Sequence, residues 1–231
     1  MLYATSDIHG YPLDGFLRLL ERAGFGDDDF LYVLGDVIDR NGDGGAAMLE
    51  WLTHRPNARL ILGNHEDMLL ACEYLFTGRA ESASAWEKRM LSQWVYNGAE
   101  PTIRALAELG RRRPSALGDV LAYVRRAPLY DTVDTAAGSL LLVHSGLGGF
   151  DPNRSLDAYL PDEMLWHRPH PEERFFEDRI TILGHTPTDH YGTPRRMFVT
   201  PTWIDIDVGG AMGRPPMLLR LDDLTPIYAE S

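Results

Sequence analysis

The chain has 231 residues, of which 44% are hydrophobic and 24% are charged, and its formal net charge is −12. This length is enough for one large domain with its own hydrophobic core, and the composition is ordinary for a globular protein. The acidic balance argues against a broad nucleic-acid-binding surface, which requires a basic field. No apolar run approaches the ~20 residues that cross a bilayer. We therefore expect no nucleic-acid partner and no membrane insertion.

The first residues and the cysteine content indicate a cellular location. The chain enters an apolar stretch without a basic segment ahead of it, so we expect no signal peptide. Cys72 is the only cysteine, which excludes an intramolecular disulfide and is typical of a reducing compartment. These features favour a cytoplasmic protein. Lys88 is the only lysine, and the chain has no phosphate-binding loop of the P-loop type.

Strand and helix patterns alternate through the first third of the chain. Apolar runs predict strands at Leu2–Thr5, Phe30–Leu34 and Ala58–Leu62. Apolar residues at helical spacing predict helices at Pro12–Gly24, Ala46–His54 and Glu66–Phe76. This alternation is typical of β-α-β units with parallel strands.

The middle third is predicted to be helical, and the last third returns to strands. We interpret residues from about 80 to 127 as a helical insertion, with helices at Ser84–Tyr96, Pro101–Leu109 and Ser115–Arg126. Later apolar runs predict strands at Ser139–Val143, Ile180–Leu183, Met197–Thr200, Trp203–Ile206 and Met217–Leu221. Residues 148–178 are rich in proline, aspartate and histidine, and we expect an active-site loop with little regular structure. Residues 1–231 are expected to form a single α/β domain.

Polar side chains follow five of the predicted strands, at the point where each strand ends. In chain order they are Asp7 with His9, Asp36, Asn64, His144 and His185. Residues two apart in a strand point to one face, so Asp7 and His9 can reach the same ion. The two carboxylate oxygens of Asp36 could bridge two cations. Because sites in open α/β sheets collect at the carboxyl ends of strands, we expect these six side chains to converge.

Each of these residues also has an ordinary structural explanation. An Asp-x-His-Gly sequence is more often a capped turn, Asn64 is compatible with turn chemistry, and His144 and His185 could be satisfied core histidines. The ordered series as a whole is hard to explain in this way, and it favours a metal site. Oxygen and imidazole ligands without thiolate suit Mn, Fe or Zn better than copper(I) or an iron–sulfur cluster.

The order of the motifs resembles that of the metallophosphoesterase superfamily. More narrowly, the motifs are similar to those of the phosphoprotein phosphatase (serine/threonine phosphatase) family, near its bacterial and phage-lambda-type members. They are Gly35-Asp36-Val37-Ile38-Asp39-Arg40, Gly63-Asn64-His65-Glu66 and Gly184-His185-Thr186. The likeness extends from Asp7 to Ile206-Asp207-Val208-Gly209. It implies a calcineurin-like αββα sandwich of two mixed β-sheets flanked by helices.

The resemblance also implies two divalent metal ions, with Mn2+ as the usual activating ion and Fe or Zn as alternatives. The implied ligands of the first ion are Asp7, His9 and Asp36, and those of the second are Asp36, Asn64, His144 and His185. One position departs from the family. The glycine that usually follows the Asp-Arg pair is Asn41 here, a residue type that tolerates left-handed backbone better than most.

The expected chemistry is phosphoester hydrolysis without a covalent enzyme intermediate. His65 is the candidate general acid, and Asp39 would orient its imidazole and raise its proton affinity. Arg40 and Arg168 would bind the phosphate together with Asn64, because a guanidinium matches phosphate oxygens bidentately. For Arg168 the alternative is a surface arginine on a proline-rich loop.

The leading functional hypothesis is a phosphatase acting on phosphoserine or phosphothreonine in proteins. A second is symmetrical hydrolysis of dinucleoside tetraphosphates. Glu66 and Thr186 speak against this second hypothesis, because they look more like the corresponding residues of the protein phosphatases. A third is permissive hydrolysis of small phosphoesters. A fourth is a non-catalytic scaffold, which the retained ligands, Asp39 and His65 disfavour. The sequence does not indicate the oligomeric state.

Four conspicuous side chains are assigned to packing. Trp86, Trp94 and Tyr96 occur at helical spacing and are interpreted as packing residues of the insertion. Cys72 is interpreted as a small core residue rather than a nucleophile.

Overall fold

The computed structural model describes residues 1–229. Its strands are β1 Leu2–Thr5, β2 Phe30–Leu34, β3 Ala58–Ile61, β4 Tyr130–Thr135, β5 Gly138–Val143, β6 Ile180–Leu183, β7 Phe198–Val199, β8 Trp203–Asp205, β9 Met217–Arg220 and β10 Thr225–Tyr228. Its α-helices are α1 Leu13–Arg22, α2 Ala46–Thr53, α3 Asn64–Ala71, α4 Ala85–Tyr96, α5 Glu100–Arg112, α6 Pro114–Arg125 and α7 Pro161–Leu165. Among the described residues, no helix is long and apolar enough to span a bilayer.

The strands form two five-stranded mixed sheets. The first has the order β10-β9-β1-β2-β3, in which β1, β2 and β3 are parallel and β9 and β10 are antiparallel additions. The second has the order β4-β5-β6-β8-β7, in which β5, β6 and β8 are parallel and both edges are antiparallel. The predicted α/β sandwich of two mixed sheets is therefore confirmed.

Alternating side chains within each strand divide the core into layers. In β2, Leu31 and Val33 pack with the apolar residues of the helices, whereas Tyr32 and Leu34 belong to the cluster between the two sheets. Side chains of the second sheet, such as Leu142, complete that inter-sheet cluster. The packing of this layer brings the strand ends of both sheets into one region.

The outer face of the second sheet is covered mainly by residues 148–178. Tyr159, Met164 and Phe175 of this segment pack against Leu141 and Val143 of β5. The segment was expected to have little regular structure, and it contains α7 and a 3-10 turn at Leu156–Ala158 among turns and coil. Its apolar contacts fix its course although most of it is irregular.

Two strands, β4 and β10, are not predicted by the sequence patterns. Both lie at sheet edges, where half-exposed polar positions replace the apolar run of a central strand. Pro226 in β10 is compatible with an edge, since an edge strand has backbone groups that need no partner.

Candidate metal centre

The six predicted ligand residues come together where strands of both sheets end. Asp7 and His9 follow β1, Asp36 follows β2, Asn64 begins α3 just after β3, His144 follows β5, and His185 lies shortly after β6. Each of the six is at most 5% exposed. Polar groups of this kind are rarely buried together unless they hydrogen-bond or bind a cation.

Asp36 is shared by two groups of candidate ligands. Its Oδ2 lies 3.6 Å from His9 Nε2 and 3.8 Å from His65 Nε2. Its Oδ1 lies 3.4 Å from His144 Nε2, and His185 completes this second group. The two oxygens of one carboxylate thus face different imidazoles, which is the arrangement that a bridging ligand requires.

Asp7 and Asn64 extend these two groups. Asp7 Oδ1 lies 3.8 Å from His9 Nε2, and Asp7 Oδ2 accepts the backbone N–H of His185 at 2.9 Å. Asn64 Oδ1 lies 2.9 Å from His144 Nε2 and 3.0 Å from His185 Nδ1. The amide oxygen of Asn64 therefore lies beside the imidazoles of the second group.

Backbone carbonyls orient two of the imidazoles. His9 Nδ1 donates to the carbonyl of Ile38 at 2.9 Å, and His144 Nδ1 donates to the carbonyl of Leu34 at 2.7 Å. In a neutral imidazole the other nitrogen then carries the lone pair, and in both residues this is the Nε2 that faces Asp36. His185 Nε2 is buried without a hydrogen-bond partner among the described residues.

The charges of this centre are unfavourable without cations. Burial raises the pKa of Asp7 and Asp36 well above the usual range, and the neighbouring carboxylates raise both further. Burial also lowers the pKa of His144 to about 3, which keeps this imidazole neutral. Divalent cations would compensate the crowded carboxylates and use the free imidazole lone pairs. The donor set therefore fits divalent metal ions.

His65 forms a buried pair with Asp39. His65 Nδ1 donates to Asp39 Oδ2 at 2.5 Å, and this carboxylate also accepts the indole N–H of Trp94 at 2.7 Å and the hydroxyl of Thr102 at 2.5 Å. Burial raises the pKa of Asp39 to about 7 and lowers that of His65 to about 3, the latter with a contribution from Arg40. The ring orientation leaves His65 Nε2 directed at the metal centre.

Trp94 and Thr102 are neighbours of the site that the sequence interpretation misses. Trp94 packs in the core, as predicted, and its indole N–H in addition donates to Asp39. Trp94 lies on α4 and Thr102 on α5, at separations of 55 and 63 residues from Asp39. No local pattern could indicate contacts of this range. Two helices of the predicted insertion thus position the His65–Asp39 pair.

Glu66 supports the loop that carries Asp36. Its buried carboxylate accepts the backbone N–H groups of Asp36 at 2.8 Å, Val37 at 2.9 Å and Gly63 at 3.2 Å. It also accepts the backbone N–H of Ile38 at 3.3 Å, and these four hydrogen bonds fix the turn after β2 against the start of α3. Glu66 is 0% exposed, so its side chain has no access to a substrate.

Each predicted phosphate-binding arginine accompanies one ligand group. Arg40 Nη2 lies 3.5 Å from His65 Nε2. Arg168 Nη1 donates to the carbonyl of His185 at 3.2 Å and lies 3.3 Å from Thr186 Oγ1. Both residues are exposed overall, so a ligand can reach either guanidinium. Arg168 lies at the site and is not a distant surface arginine.

Left-handed backbone is concentrated at the site. Of the eight described non-glycine residues with positive φ, six are predicted site residues: Asp7, His9, Asp36, Asp39, Arg40 and His185. For residues with a Cβ, this conformation is disfavoured by about 1–2 kcal/mol each. It persists where the surrounding structure fixes it, which is characteristic of functional sites.

Asn41 does not use its tolerance of left-handed backbone, because the positive φ angles of this loop fall on Asp39, Arg40 and Gly42. Instead, the side-chain amide of Asn41 donates to the carbonyls of His9 and Gly210, both at 2.9 Å. Asn41 therefore connects the loop after β1 to the loop after β8.

Buried Asp207 is another residue that the sequence interpretation did not place at the site. It raises the pKa of Asp7, and burial raises its own pKa to about 6. Its Oδ1 accepts the backbone N–H of Gly209 at 2.9 Å. In the sequence, Asp207 is recognisable only as part of Ile206-Asp207-Val208-Gly209, the last of the motifs that resemble the family.

Comparisons with known proteins agree with this architecture. A symmetrical bis(5′-nucleosyl)-tetraphosphatase of Acidovorax sp. (strain JS42) is 31% identical over 147 residues, which are 63% of this chain and 44% of that relative. The match thus spans less than half the length of that relative.

Two solved structures share the fold at low sequence identity. A candidate diadenosine tetraphosphatase has a TM-score of 0.62 and 18% identity, covering 98% of this chain and 91% of its own. A protein serine/threonine phosphatase from Saccharomyces cerevisiae has a TM-score of 0.55 and 16% identity, covering 88% of this chain and 65% of its own. At these identities the likeness establishes the fold alone.

The family model described as calcineurin-like phosphoesterase matches residues 2–204. This region includes β1 to β7 and most of β8, together with all six candidate ligands, His65, Asp39 and both arginines. The superfamily predicted from the motifs is therefore confirmed, and the chain belongs to the calcineurin-like phosphoesterase family.

Proposed function

We propose that this protein is a metal-dependent hydrolase that cleaves dinucleoside tetraphosphates symmetrically. The observation that carries the proposal is Asp36 shared between two ligand groups, each accompanied by one arginine. The likeness to a symmetrical tetraphosphatase suggests the substrate class. Symmetrical cleavage adds one water molecule to the central bridge and yields two nucleoside diphosphates.

The competing hypothesis is a serine/threonine protein phosphatase. Its distinguishing residues in the sequence are Glu66 and Thr186. Glu66 is buried on backbone N–H groups, and Thr186 is 1% exposed and lies beside Arg168. Because both side chains are buried, neither can distinguish a peptide from a nucleotide, so neither favours a phosphoprotein substrate. The comparisons support the tetraphosphate hypothesis better.

The residues fit two divalent ions. The proposed ligands are Asp7, His9 and Asp36 for one ion and Asp36, Asn64, His144 and His185 for the other. When bound, the ions supply an acidified water and polarised phosphoryl oxygens. We propose Mn2+ for the activating ion, with Fe or Zn as alternatives that suit the same oxygen and imidazole ligands.

The remaining residues bind and orient the substrate. Arg40 and Arg168 would bind phosphates of the bridge, and the amide N–H of Asn64 would donate to a phosphate oxygen. His65, oriented by Asp39, would give a proton from Nε2 to the leaving oxygen. This step requires the charged imidazole, which the negative charge of a bound polyphosphate favours against the burial and the Arg40 charge that lower the pKa of His65. A nucleoside diphosphate is a weaker base than an alkoxide, so the tetraphosphate depends less on this proton than an alkyl phosphate does.

A substrate panel tests the proposal. Protein loaded with Mn2+ is given diadenosine tetraphosphate, a phosphoserine peptide and an aryl phosphate under the same conditions. We expect the highest kcat/KM for the tetraphosphate, with two molecules of ADP formed per molecule cleaved. A higher kcat/KM for the peptide would favour the protein phosphatase, and turnover of the aryl phosphate alone would favour a permissive phosphomonoesterase. Bound metal without any turnover would indicate a scaffold.

A further inference from the structure

A cavity of about 720 Å³ lies between α3, α4 and the segment that contains α7. Its lining combines aromatic and thioether side chains with carboxylates, among them Trp86, Trp166, Met68, Met90, Asp67 and Asp162. Its volume is in the range of ligand-binding pockets. The sequence interpretation assigned Trp86 to packing, but this side chain is 53% exposed and lines the cavity.

Two helices that form the cavity also position the metal centre. Helix α3 begins with Asn64 and His65, and its next turn contributes Asp67 to the cavity. Helix α4 contributes Trp86 near its start and contains Trp94, which holds Asp39. The cavity is therefore at a fixed place relative to the reacting groups.

Trp166 connects the cavity to the second ligand group. Its ring packs edge-on against the imidazole of His185, with centroids 6.0 Å apart. Two residues later in the chain, Arg168 contacts the carbonyl of His185. Trp166 is therefore shared between the cavity lining and the surroundings of His185.

The lining suits a nucleobase and disfavours a phosphate. Asp67 and Asp162 are close enough for Asp162 to raise the pKa of Asp67, next to the larger effect of burial. This local negative charge repels phosphate groups, whereas carboxylates accept hydrogen bonds from the amino groups of bases. The indoles offer flat apolar faces on which a base can stack.

We propose that this cavity binds one purine base of the dinucleoside substrate, stacked on Trp86 with its exocyclic amino group donating to the carboxylate pair of Asp67 and Asp162. The inference rests on the proposed function and adds the subsite that recognises the nucleoside. The polyphosphate then extends past Trp166 towards Arg168. Because the arginines attract phosphates and the carboxylate pair repels them, the polyphosphate would bind at the arginines and the base in the cavity.

Trp86→Ala tests stacking by a split between substrates. We expect its KM for diadenosine tetraphosphate to rise about tenfold, with kcat unchanged and with unchanged hydrolysis of an aryl phosphate that has no nucleoside. Tyr96→Ala is the matched control, since Tyr96 is an aromatic residue of the same helix, 91% exposed and outside the cavity lining. This control should leave all these constants unchanged.

Calorimetric binding to metal-loaded protein gives a test without turnover. Adenosine 5′-monophosphate should bind Trp86→Ala about tenfold more weakly than wild type, whereas ribose 5-phosphate, which has no base, should bind both equally. Equal affinities for adenosine 5′-monophosphate together with an unchanged KM would overturn the subsite. A loss confined to phosphopeptide hydrolysis would also overturn it, in favour of a peptide-binding cavity.

The carboxylate contact has its own test in the double variant Asp67→Asn and Asp162→Asn. Wild type should prefer diadenosine tetraphosphate over its diinosine analogue, which lacks the amino group, and the double variant should lose this preference. No preference in wild type would exclude the contact. Hydrolysis of the tetraphosphate with unchanged KM in Trp86→Ala rejects the subsite alone. Base-specific binding at Trp86 without such hydrolysis rejects the proposed function alone.

Discussion

The two ligand groups differ in how much of the fold they require. Asp7, His9 and Asp36 belong to consecutive loops of the first sheet. The second group joins Asn64 of the first sheet to His144 and His185, which follow strands of the second sheet. The residues of the first group all lie within one β-α-β unit, although Asp7 also contacts the backbone of His185, whereas the residues of the second group meet only when the sheets pack against each other.

One hydrogen bond shows how the second group depends on this packing. His144 Nδ1 donates to the carbonyl of Leu34 across 110 residues of sequence, and this bond connects the end of β5 to the end of β2. The inter-sheet cluster lies directly behind it. A local disturbance between the sheets should therefore disrupt the second ion site before the first.

The largest effect is expected at Asp36, because it belongs to both groups. Asp36→Ala should lose both ions and all measurable turnover, as determined by metal analysis and by hydrolysis of the panel substrates. Asp28→Ala is the control, because Asp28 is an exposed acid in the loop before β2. This variant should retain two ions. Two ions bound to Asp36→Ala would show that this carboxylate does not bridge.

Single-histidine variants separate the two groups. His9→Ala and His144→Ala should each bind one ion fewer than wild type, measured on dialysed protein. Each variant should also lower the free energy of unfolding, by about 1–3 kcal/mol, because each removes the imidazole donor to a buried carbonyl, that of Ile38 or that of Leu34. If both variants lost both ions, the groups would not be independent.

His65 should affect chemistry without affecting metal content. His65→Ala is expected to retain two ions and to lose about 10²–10⁴-fold in turnover of an alkyl phosphate. Its loss on diadenosine tetraphosphate should be smaller, because the leaving group needs less help. Retention of only one ion would identify His65 as a ligand, which its distance of 3.8 Å from Asp36 Oδ2 also allows.

Trp94 tests whether the helices of the middle third contribute to the chemistry. Trp94→Phe removes the indole donor that lowers the pKa of Asp39, so this pKa should rise further above about 7. Asp39 must be ionised to orient His65, and the loss of kcat on acidification should therefore begin at a higher pH than in wild type. An unchanged pH profile with full activity would limit Trp94 to packing.

The smallest effect is expected at Glu163 in residues 148–178, whose side-chain hydrogen bonds stay within that segment. Hydrogen bonds from Arg154 and the Leu160 N–H lower the pKa of Glu163 to about 2. Because the folded pKa is the lower one, the stabilisation is present above the ordinary pKa and is lost as the pH falls towards about 2. The Tm of wild type should fall over this interval, whereas Glu163→Gln should lack this part of the change and keep its activity at neutral pH.

The sequence was most informative about the site residues that directly follow predicted strands. Asp7, Asp36 and Asn64 follow apolar runs that are recognisable by period, and parallel strands bring such positions to one edge. The residues that surround and orient these site residues could not be predicted in the same way. Trp94 reaches Asp39 from another helix, and the aromatic face of Trp86 is defined by a cavity that three separate segments enclose. Contacts of this range depend on helix packing, which has no local pattern.

The six site residues with left-handed backbone also have a consequence for engineering. Glycine adopts these angles without steric conflict, and at the five buried positions it would also remove a carboxylate or imidazole whose burial is costly. Selection for thermal stability alone should therefore enrich glycine at these positions and yield stable proteins without catalytic activity. Any stabilisation programme needs an activity screen in every round.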